Sequence, residues 1–408
     1  MSRLLLISFA VAAAGATRTR VPPPPAAPPG RARVIRGATV QVHLPALVCD
    51  AFAFGAVGDG VTDDTRALQA AITACAAGGT ALLPSNGTFL SFGLALPASA
   101  ANFALQIEGT LRFSNDTRAW GPAGSAGACL ALAGSSIALL GAGTVDGQGA
   151  AWWPCAKAGC ARPTLVKAQG VAGLLVTGGL TFRDSPNHQL ELYASPFEVS
   201  HVSILAPPST GGSSLISHNT DGIDVHGQPA YIHHVHISTG DDHIALHAND
   251  TLVESCTFGT GHGTSIGSLG AGTYLRNISI IDSTFEAPTC VARIKADTQS
   301  SGFLRDVLWR NISATGATIT LQLTTNYPGP GAGTGTLAIS NVTFAGIASA
   351  GSAEAGQFLC SANAPCQGIT LRNVVHTAPP AKAKGWSCAA AHGATAGTVS
   401  PPLTCLLP

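Results

Sequence analysis

The sequence predicts an all-β fold, a single-stranded parallel β-helix whose N-terminal end is closed by a capping α-helix. Three observations support this prediction: the composition, a repeated strand pattern in the second half, and one amphipathic segment near the start. Only 10% of the 408 residues are charged, and 48 are glycine. Helical surfaces need charged faces, whereas short strands with tight turns use Gly, Thr, Ser, Val and Ile. The composition therefore favours many short strands.

A pattern that ends in apolar-x-apolar recurs between Leu174 and His376 and is typical of strands with one buried face. Its closing residues are Ile204, Ile237, Phe258, Ile280, Trp309, Phe344 and His376. The smallest step between them is 21 residues, and the larger steps leave room for loops. Coils of this size bury their apolar side chains only by stacking on neighbouring coils. A β-sandwich is the alternative, but Asn-Gly turns do not recur at the spacing of its hairpins.

The first coil is predicted to be closed by a helix. Thr62-Asp-Asp-Thr65 is a capping sequence, and helical spacing follows at Ala67, Leu68, Ala71, Ile72 and Cys75. Such a helix covers strand edges that would otherwise invite aggregation. The Pro- and Cys-rich tail is expected to protect the opposite end.

The N-terminal residues predict secretion. Arg3 precedes an apolar run from Leu4 to Ala14, and Ala14-Gly15-Ala16 has the small-x-small pattern of a cleavage site. We expect residues 1–16 to be a signal peptide, with an uncleaved membrane anchor as the alternative. Residues 17–47 are expected to be a Pro-rich linker and residues 48–408 a single β-helix domain. We expect a monomer in the extracellular space or cell wall, with no membrane attachment after cleavage.

The formal net charge is +0 and the isoelectric point is about 7.2, which argues against nucleic acid as a partner. The 11 cysteines are expected to pair mostly as disulfides, with at least one left over. Three local pairs are candidates: Cys155/Cys160, Cys360/Cys366 and Cys388/Cys405. Six Asn-x-Ser/Thr sequons fit a secreted glycoprotein: Asn86, Asn115, Asn249, Asn277, Asn311 and Asn341. Three of them fall in repeat turns, where Asn is also favoured for turn geometry.

Five polar clusters interrupt the strand pattern at separations that match the coil steps. They are Asn219-Thr220-Asp221, Gly240-Asp241-Asp242, Gly261-His262-Gly263, Arg293-Ile294-Lys295 and Tyr327. A regular winding would stack them on one face. Crowded carboxylates cannot all ionise freely, so one is expected to keep a proton and act as an acid while another activates water. This is the two-carboxylate chemistry of glycoside hydrolysis. Gly240 is expected to permit a bend that turns both neighbouring aspartates outward.

Each cluster also has a plainer interpretation. An Asp-Asp pair is often a turn or a calcium site, a lone His such as His262 is usually a surface residue, and Tyr327 can be an ordinary exposed aromatic. Strand alternation places Arg293 and Lys295 on one face, either as a solvated pair or as a site for a sugar carboxylate. Asp224 is expected to order a turn. His233, His234 and His236 are expected to lie on a coil face and not to bind a metal.

Four motifs occur in a fixed order: Asn219-Thr-Asp-Gly222, Gly240-Asp-Asp242, Gly261-His-Gly-Thr-Ser-Ile-Gly267 and Arg293-Ile-Lys295. The ordered set resembles the polygalacturonase (pectinase) family of glycoside hydrolases. The likeness runs from about Asp50 to Cys405. Its outer segments, including Phe54-Gly-Ala-Val-Gly-Asp-Gly-Val-Thr-Asp-Asp-Thr65 and Val145-Asp-Gly-Gln-Gly149, look most like plant-type members.

The resemblance implies a right-handed parallel β-helix that hydrolyses α-1,4-galacturonan with inversion, without a metal or any other cofactor. The partner it implies is an acidic polysaccharide. By motif, Asp241 is the general acid, and Asp221 and Asp242 activate the attacking water. His262 supports the protonation state of Asp241. Three residues would bind substrate beside Asn219, a subsite or network residue: Arg293, Lys295 and Tyr327.

The sequence departs from the family pattern at one disulfide. Family members often carry Cys directly after the Asp pair, bridged to a Cys four residues before the motif His. Here these positions are His243 and Phe258. Both partners are missing together, which indicates loss of the whole bridge and leaves Cys256 as a candidate unpaired residue.

Two other functions remain open from the sequence. A calcium-dependent pectate lyase on the same scaffold would use an arginine base and give unsaturated products. A catalytically silent β-helix would bind polysaccharide without cleaving it. Three crowded carboxylates argue against the silent protein, because binding alone does not require them.

Overall fold

The computed structural model describes Val40 and residues 46–120, 127–208, 217–377 and 384–408, without the side chains of residues 157 and 158. The predicted signal peptide and nearly all of the predicted linker lie outside these residues. The helical segments are α1 (Thr65–Cys75) and the 3-10 turns Ala51–Phe54, Gly149–Ala151 and Trp153–Ala158. Within the part of the chain that is described, no helix is long and apolar enough to cross a membrane.

Short strands account for most of the remaining structure. Those of the first half are β1 (Val48–Asp50), β2 (Asp59–Asp63), β3 (Thr80–Leu83), β4 (Thr88–Ser91), β5 (Leu94–Ala95), β6 (Ala101–Ile107), β7 (Thr110–Phe113), β8 (Ala128–Leu132), β9 (Ser135–Leu140), β10 (Thr144–Asp146), β11 (Thr164–Val176), β12 (Thr181–Arg183), β13 (Leu190–Ala194), β14 (Phe197–Ser200) and β15 (Ser203–Leu205). Those of the second half are β16 (Ile223–Val225), β17 (Ala230–His233), β18 (His236–Ser238), β19 (Ile244–Leu246), β20 (Thr251–Glu254), β21 (Thr257–Phe258), β22 (Thr264–Leu269), β23 (Thr273–Glu286), β24 (Cys290–Ala296), β25 (Ser301–Thr315), β26 (Ile319–Thr324), β27 (Thr336–Ala350), β28 (Glu354–Leu359), β29 (Cys366–Thr377), β30 (Lys384–Ala389) and β31 (Ala391–Ser400).

The strands pair in parallel with strands one coil away, which confirms the predicted parallel β-helix. One face, here called the site sheet, runs in the order β5, β8, β11, β13, β16, β19, β22, β24, β26, β28 and β30. The other strands form the remaining faces. Because side chains alternate across each strand, apolar residues fill the interior and polar residues of the site sheet face outward.

The interior is built from stacked apolar rows. Near the C-terminal end, the rings of Trp309 and Phe344 stack with centroids 5.3 Å apart, and Phe358 and Trp386 stack at 5.8 Å. The first three of these side chains are almost completely buried. Burying a large apolar side chain contributes about 1.5–3 kcal/mol, so each added coil stabilises its neighbours as the stacking argument expects.

The predicted repeat register is wrong after Phe258. That residue pairs with Phe285, whereas Ile280 and Trp309 belong to a separate row. Strand β23 is long enough to carry both rows, and its last apolar residues continue the row of Phe258. His376 at the far end belongs to the row of Phe285. A pattern of apolar-x-apolar cannot distinguish the two rows within one continuous strand.

Helix α1 buries Leu68, Ala71, Ile72 and Cys75, as its spacing predicts. Its cap differs from the expectation, because the side chain of Asp64 makes no capping hydrogen bond to the helix. Asp64 instead accepts hydrogen bonds from the backbone amides of Val57 and Gly58 at 2.6 and 3.0 Å. The Asp64 carboxylate therefore fixes the preceding turn.

The three predicted local disulfides, Cys155–Cys160, Cys360–Cys366 and Cys388–Cys405, are all present. A fourth, Cys49–Cys75, joins β1 to the end of α1 and was not predicted. Cys256 is unpaired and buried, as expected, and so are Cys129 and Cys290.

His243 and Phe258 occupy the place of the missing family bridge. Their rings pack with centroids 5.2 Å apart, and Phe258 also packs on Phe285 at 4.6 Å. Both residues are fully buried. A ring contact thus joins these two neighbouring coils where family members often have a disulfide.

Three of the sequon asparagines lie in left-handed turns of the repeat, namely Asn277, Asn311 and Asn341, with φ of 62°, 54° and 52°. Their side-chain amides donate to carboxylates of the preceding coil, in the pairs Asn277–Asp250, Asn311–Asp282 and Asn341–Asp306. Asn tolerates this backbone region better than most residues. Turn geometry therefore accounts for these three asparagines.

Candidate active site

The register of the site sheet gathers the predicted polar clusters. Leu190, Ile223, Ile244 and Thr264 are neighbours across four consecutive coils. A polar residue lies two positions before each of them, in the order His188, Asp221, Asp242 and His262. These four therefore line the same edge of the sheet. Arg293 and Lys295 enter from β24 on the next coil, and Tyr327 follows β26.

Asp242 is the most buried carboxylate of the site, with 1% of its side chain exposed. Its Oδ2 lies 2.6 Å from Nζ of Lys295, and its Oδ1 accepts a hydrogen bond from Oγ of Ser265 at 2.7 Å. Nη1 of Arg293 lies 3.8 Å from the same Oδ1. Burial lowers the pKa of Lys295, but the attraction of Asp242 outweighs burial and raises that pKa above its usual value. The Asp242 side chain is thus turned toward Lys295 and buried, not outward as expected.

Asp241 is more open, with 20% of its side chain exposed. Its Oδ1 lies 2.8 Å from Nδ1 of His262 and accepts a hydrogen bond from the backbone amide of Asp242 at 2.9 Å. Burial raises the pKa of Asp241, but the hydrogen bond and charge of His262, with Lys295, outweigh it and lower the pKa below the usual value. The predicted contact between His262 and the Asp pair is present, and it is made with Asp241.

Asp221 is the carboxylate whose pKa is raised most clearly. Burial, followed by the charges of Asp224 and Asp241, raises its pKa well above the usual range, and His188 opposes this only in part. The sequence predicted that one of the three crowded aspartates would stay protonated. The raised pKa is that of Asp221, whereas the pKa of Asp241, the acid implied by the resemblance, is lowered.

Sequence reasoning missed His188 and misjudged Asp224. Asp224 does not order a turn, because it lies within β16 and is 4% exposed. Its Oδ2 lies 2.8 Å from Nδ1 of His188, whose Nε2 is 3.9 Å from Oδ1 of Asp221. Burial lowers the pKa of His188, but Asp224, Asp221 and Glu191 outweigh burial and raise it to about 9. Leu190 and Ile223 are paired across neighbouring coils, and His188 and Asp221 each lie two positions before them. This shared position is the signal that would have identified His188 as a site residue.

Arg293 and Lys295 share one face, as strand alternation predicts. The guanidinium carbon of Arg293 and Nζ of Lys295 lie 5.0 and 5.1 Å from the ring centroid of Tyr327. Nε of Arg293 donates to Oε1 of Gln322 at 2.9 Å. Tyr327 therefore contacts both cations and holds their side chains against the groove.

Asn219 is fixed by Arg162, a second residue that sequence reasoning missed. Asn219 has a φ of 57°, and its Oδ1 accepts a hydrogen bond from Nη2 of Arg162 at 2.8 Å. Nη1 of Arg162 donates to the carbonyls of Pro186 and His218 at 2.8 and 2.7 Å. One guanidinium thus joins the turns before β13 and β16. Nothing in the local sequence distinguishes Arg162 from a surface arginine.

Two glycines allow the close approach of backbones at the site. A Cβ on Gly240 would collide with Oγ and the carbonyl of Ser217, so this position excludes a side chain but makes no left-handed bend. A Cβ on Gly263, where φ is 100°, would collide with the carbonyl of Cys290. The expected close approach beside His262 is present, and the chain bends at Gly240 and Asp241 as predicted.

Asp241, Asp242 and His262 are the one group of three or more potential metal ligands found among the described residues, with ligand atoms within 4.8 Å of one another. Calcium prefers six to eight oxygen ligands, and here Lys295 already neutralises Asp242. The histidines of the remaining faces do not join this group. His233 lies 3.1 Å from Oε1 of Glu198 and 2.8 Å from His234, which agrees with their predicted place on a coil face.

Comparison with known proteins gives a consistent result. A family profile described as Glycosyl hydrolases family 28 matches residues 80–398. The chain is 30% identical over 378 residues to a probable polygalacturonase of Arabidopsis thaliana, covering 86% of this chain and 82% of that protein. It is 29% identical over 346 residues to a polygalacturonase of Persea americana, covering 79% and 72%. The solved structure of a polygalacturonase from Erwinia carotovora ssp. carotovora is similar with a TM-score of 0.73 at 23% identity, covering 90% of this chain and 99% of that chain. This last likeness shows the fold, a right-handed parallel β-helix.

Proposed function

This chain belongs to glycosyl hydrolases family 28 and is a glycoside hydrolase, and we propose that it cleaves α-1,4-galacturonosyl linkages of polygalacturonate with inversion. One observation carries the proposal: three carboxylates in one groove have three different environments. Asp242 is buried against Lys295, Asp241 is partly exposed beside His262, and Asp221 is buried beside Asp224 with a raised pKa. Groups that share a site but titrate apart can divide acid and base work between them.

In the proposed reaction Asp241 gives its proton to the glycosidic oxygen as the bond to the anomeric carbon breaks. Asp242, assisted by Asp221, takes a proton from the water that attacks the opposite face of the same carbon. Inverting enzymes usually separate acid and base carboxyls by about 6.5–9.5 Å, whereas an oxygen of Asp241 lies within 4.8 Å of an oxygen of Asp242. We therefore place the attacking water beside this pair, toward Asp221, and not between the two carboxyls. The reaction leaves Asp241 deprotonated and Asp242 protonated, and exchange of one proton at each carboxyl with solvent restores the enzyme.

The low pKa of Asp241 in the free enzyme is compatible with its role as the acid. A galacturonate carboxylate bound in the groove adds negative charge beside Asp241, and a like charge raises the pKa of a carboxyl. Nδ1 of His262 lies at hydrogen-bond distance to accept the proton of a protonated Asp241 or to donate to its anion. His262 thus supports either protonation state of the acid.

Arg293 and Lys295 supply the charge for binding an acidic sugar. Lys295 makes the close contact with Asp242 at 2.6 Å, whereas Nη1 of Arg293 stays 3.8 Å away, so the guanidinium of Arg293 supplies the N–H donors for a substrate carboxylate. Tyr327 holds the two cations, and Asn219, fixed by Arg162, offers its remaining hydrogen-bonding groups at the edge of the groove. The proposed partner is therefore an acidic galacturonan.

The direct test replaces Asp241 with Asn. Asp241→Asn should abolish the release of reducing ends from polygalacturonate, while the fold, followed by circular dichroism, is retained. The matched control is Asp116→Asn, because Asp116 is exposed, belongs to none of the polar clusters of the site and accepts hydrogen bonds from the backbone amides of Arg118 and Ala119. Turnover by a folded Asp241→Asn enzyme would reject the assigned acid.

The calcium-dependent lyase is not favoured, because Lys295 occupies the carboxylate that a cation would use. Its test is cheap. Wild-type activity should be unchanged after treatment with a chelator, and the products should lack the ultraviolet absorbance of a new double bond. Calcium-dependent activity with absorbing products would replace hydrolysis by elimination, and binding without cleavage would favour the silent protein.

We also propose that residues 1–16 are a signal peptide and residues 17–47 a linker to the catalytic domain at residues 48–408, and that the enzyme is a secreted monomer. The disulfides support this, because such bonds persist in oxidising compartments. N-terminal mass spectrometry of the protein recovered from culture medium, together with light scattering, tests the proposal. A chain that retains Met1 and stays with the cell membrane would contradict it.

A further inference from the structure

One face of the β-helix outside the site sheet carries an apolar cluster that points away from the interior. The cluster, here called the outer patch, consists of Leu252, Ile281 and Leu308. On their strands the adjacent residues Val253, Ile280 and Trp309 fill the interior, so alternation directs the outer patch outward. Its three residues are nevertheless only 3%, 2% and 4% exposed. A side chain on the outside of a sheet loses contact with water only where something covers it.

The described part of the chain supplies little of this cover. Among its partly buried hydrophobic side chains, Tyr231 alone packs against the outer patch. Helix α1 lies elsewhere, because it packs on β1, β3, β4 and β5 at the N-terminal end. A segment outside the described residues is therefore expected to complete the cover, and Val40 indicates which one.

Val40 docks on the same face. It is completely buried and packs against Ala104, Ala138 and Leu175. Its backbone amide donates to Oε2 of Glu198 at 2.8 Å. These four partners lie on four consecutive coils, in strands β6, β9, β11 and β14. A chain that crosses strands cannot pair with their backbones, so a carboxylate satisfies the amide instead.

The strand register connects Val40 to the outer patch. One column of paired outward positions runs in the order Ala138, Leu175, Glu198, Tyr231, Leu252, Ser279 and Leu308. Consecutive coils are about 4.8 Å apart, so Leu252, three coils beyond Leu175, is about 14 Å from it. Val40 and the outer patch thus lie on one line along the β-helix.

The chain before Val40 has the length and the composition to reach the outer patch. After Val40 the chain leads to β1, which pairs with β3 at the N-terminal end, so the residues before Val40 are expected to continue in the opposite direction. An extended chain advances about 3.3 Å per residue, so Ile35, five residues before Val40, reaches about 16 Å from it. Val34 and Ile35 are the large apolar residues of the segment 31–39, and this reach places them at Leu252.

Charge favours the same placement. Arg33 and Arg36 flank the apolar pair of the segment. On the β-helix, Glu254 is the strand partner of one residue of the outer patch, and it accepts a hydrogen bond from the neutral hydroxyl of Tyr231. An arginine of the segment would give this carboxylate a cation.

We propose that residues 31–39 form a strap across this face, with Val34 and Ile35 on the outer patch and an arginine beside Glu254. Only residues 17–30 of the proposed linker would then stay clear of the β-helix. The strap crosses the coils that carry the aspartates, because β14, β17 and β20 alternate along the chain with β16, β19 and β22 of the site sheet. It stabilises the stacking of these coils, and the inference does not depend on the proposed hydrolysis.

Limited proteolysis of the full chain by trypsin tests the inference. Trypsin cleaves after arginine, and Arg36 lies within the strap whereas Arg20 lies before it. Proteolysis follows the population of the open segment, so in the wild type the rate of cleavage after Arg36 should be at least about tenfold below the rate after Arg20. Intact-mass spectrometry measures both rates. Equal rates in the wild type would overturn the inference.

Two variants remove the contact, one from each side. Ile35→Ser should raise the rate of cleavage after Arg36 by about tenfold, because it deletes an apolar side chain that the strap buries. Leu252→Ser should give a similar increase, with circular dichroism to verify its fold. If Leu252→Ser does not fold, Ile35→Ser decides alone, because it leaves every described residue unchanged. The matched control is Val21→Ser, a similar change before the strap, which should leave the rate after Arg36 unchanged.

A second copy of this chain is the alternative cover for the outer patch. In that case light scattering would show a dimer that Leu252→Ser dissociates, and Ile35→Ser would leave the rate of cleavage after Arg36 unchanged. Either result would overturn the inference, as would an equal increase in Val21→Ser. A monomer in which Ile35→Ser alone exposes Arg36 to trypsin would support it.

Discussion

Lys295 and Asp242 form a buried ion pair, with 2.6 Å between Nζ and Oδ2 and side-chain exposures of 8% and 1%. Two charges removed from water in this way depend on each other, because either one alone would be left without compensation. The pair also positions the proposed base, because the ammonium of Lys295 holds the Asp242 carboxylate in place. Structure and chemistry are thus coupled at a single contact.

Lys295→Met should therefore reduce both stability and activity. The variant leaves the Asp242 carboxylate buried without its main partner, and the free energy of unfolding should fall by about 3 kcal/mol. Chemical denaturation at pH 7 measures this. The double variant Lys295→Met with Asp242→Asn should recover stability but not activity, because the buried charge is gone together with the proposed base. Equal stability of Lys295→Met and wild type would show that the pair is not structurally coupled.

His188 predicts an effect at alkaline pH. Its pKa is raised to about 9 from an ordinary 6.5, so the stability it contributes is complete below pH 6.5 and is lost as pH rises through 9. Between pH 6.5 and 9 the free energy of unfolding of the wild type should fall by about 1–2 kcal/mol more than that of His188→Gln. This figure is reduced for solvent screening, because the His188 side chain is partly exposed. Urea denaturation across pH 6–10 measures the difference.

The exposed His234 offers the control for this experiment. His234→Gln should follow the wild-type curve, because His234 lies on another face of the β-helix. Parallel curves for the wild type and His188→Gln would show that His188 is not charged in the folded protein. In that case Asp224 would have to be compensated by another group.

Site residues that repeat with the coils could be predicted from the sequence. Asp221, Asp241, Asp242, His262 and Lys295 were predictable, because their residue types and spacings repeat with the coils. Side chains that contact residues of another coil, and that have no distinctive local sequence pattern, could not be predicted.

His188 and Arg162 illustrate what was missed. His188 contacts Asp224, 36 positions away, only because the register aligns their coils, and Arg162 reaches Asn219 across 57 positions. The register itself failed at Phe258, since a single long strand can hold two apolar rows. The sequence also could not show which of the three aspartates has the raised pKa, because the burial of Asp221 depends on packing and not on residue type.

His243 predicts the opposite pH effect from His188. It is fully buried, and burial lowers its pKa to about 4. The unfolded chain binds a proton near pH 6.5 while the folded protein does not, so stability is lost as pH falls from 6.5 toward 4. His243→Asn, which cannot titrate, should lose about 2–3 kcal/mol less than the wild type between pH 6.5 and 4.5.

Chemical denaturation of both proteins at pH 6.5 and 4.5 measures this difference. The variant also loses the ring packing on Phe258, but this loss of stability is the same at both pH values and cancels in the comparison. The pKa of His247 is also lowered to about 4, so both proteins keep part of the dependence of stability on pH. An unchanged slope in His243→Asn would mean that the folded protein accepts a proton at His243 despite its burial.

Arg162 predicts a kinetic effect without direct contact with a reacting carboxylate. Its guanidinium joins the carbonyls of Pro186 and His218 to Oδ1 of Asn219, and so fixes the turns that precede His188 and Asp221. Arg162→Gln should lower kcat/KM on polygalacturonate by about 10- to 100-fold, since small displacements of positioned groups carry costs of this size. The matched control, Arg305→Gln, removes a half-exposed arginine from another face and should leave the kinetics unchanged. Because Arg162 positions residues and does not react, the pH profile of the remaining activity should keep its shape; a shifted profile would instead assign Arg162 a direct electrostatic effect on the aspartates.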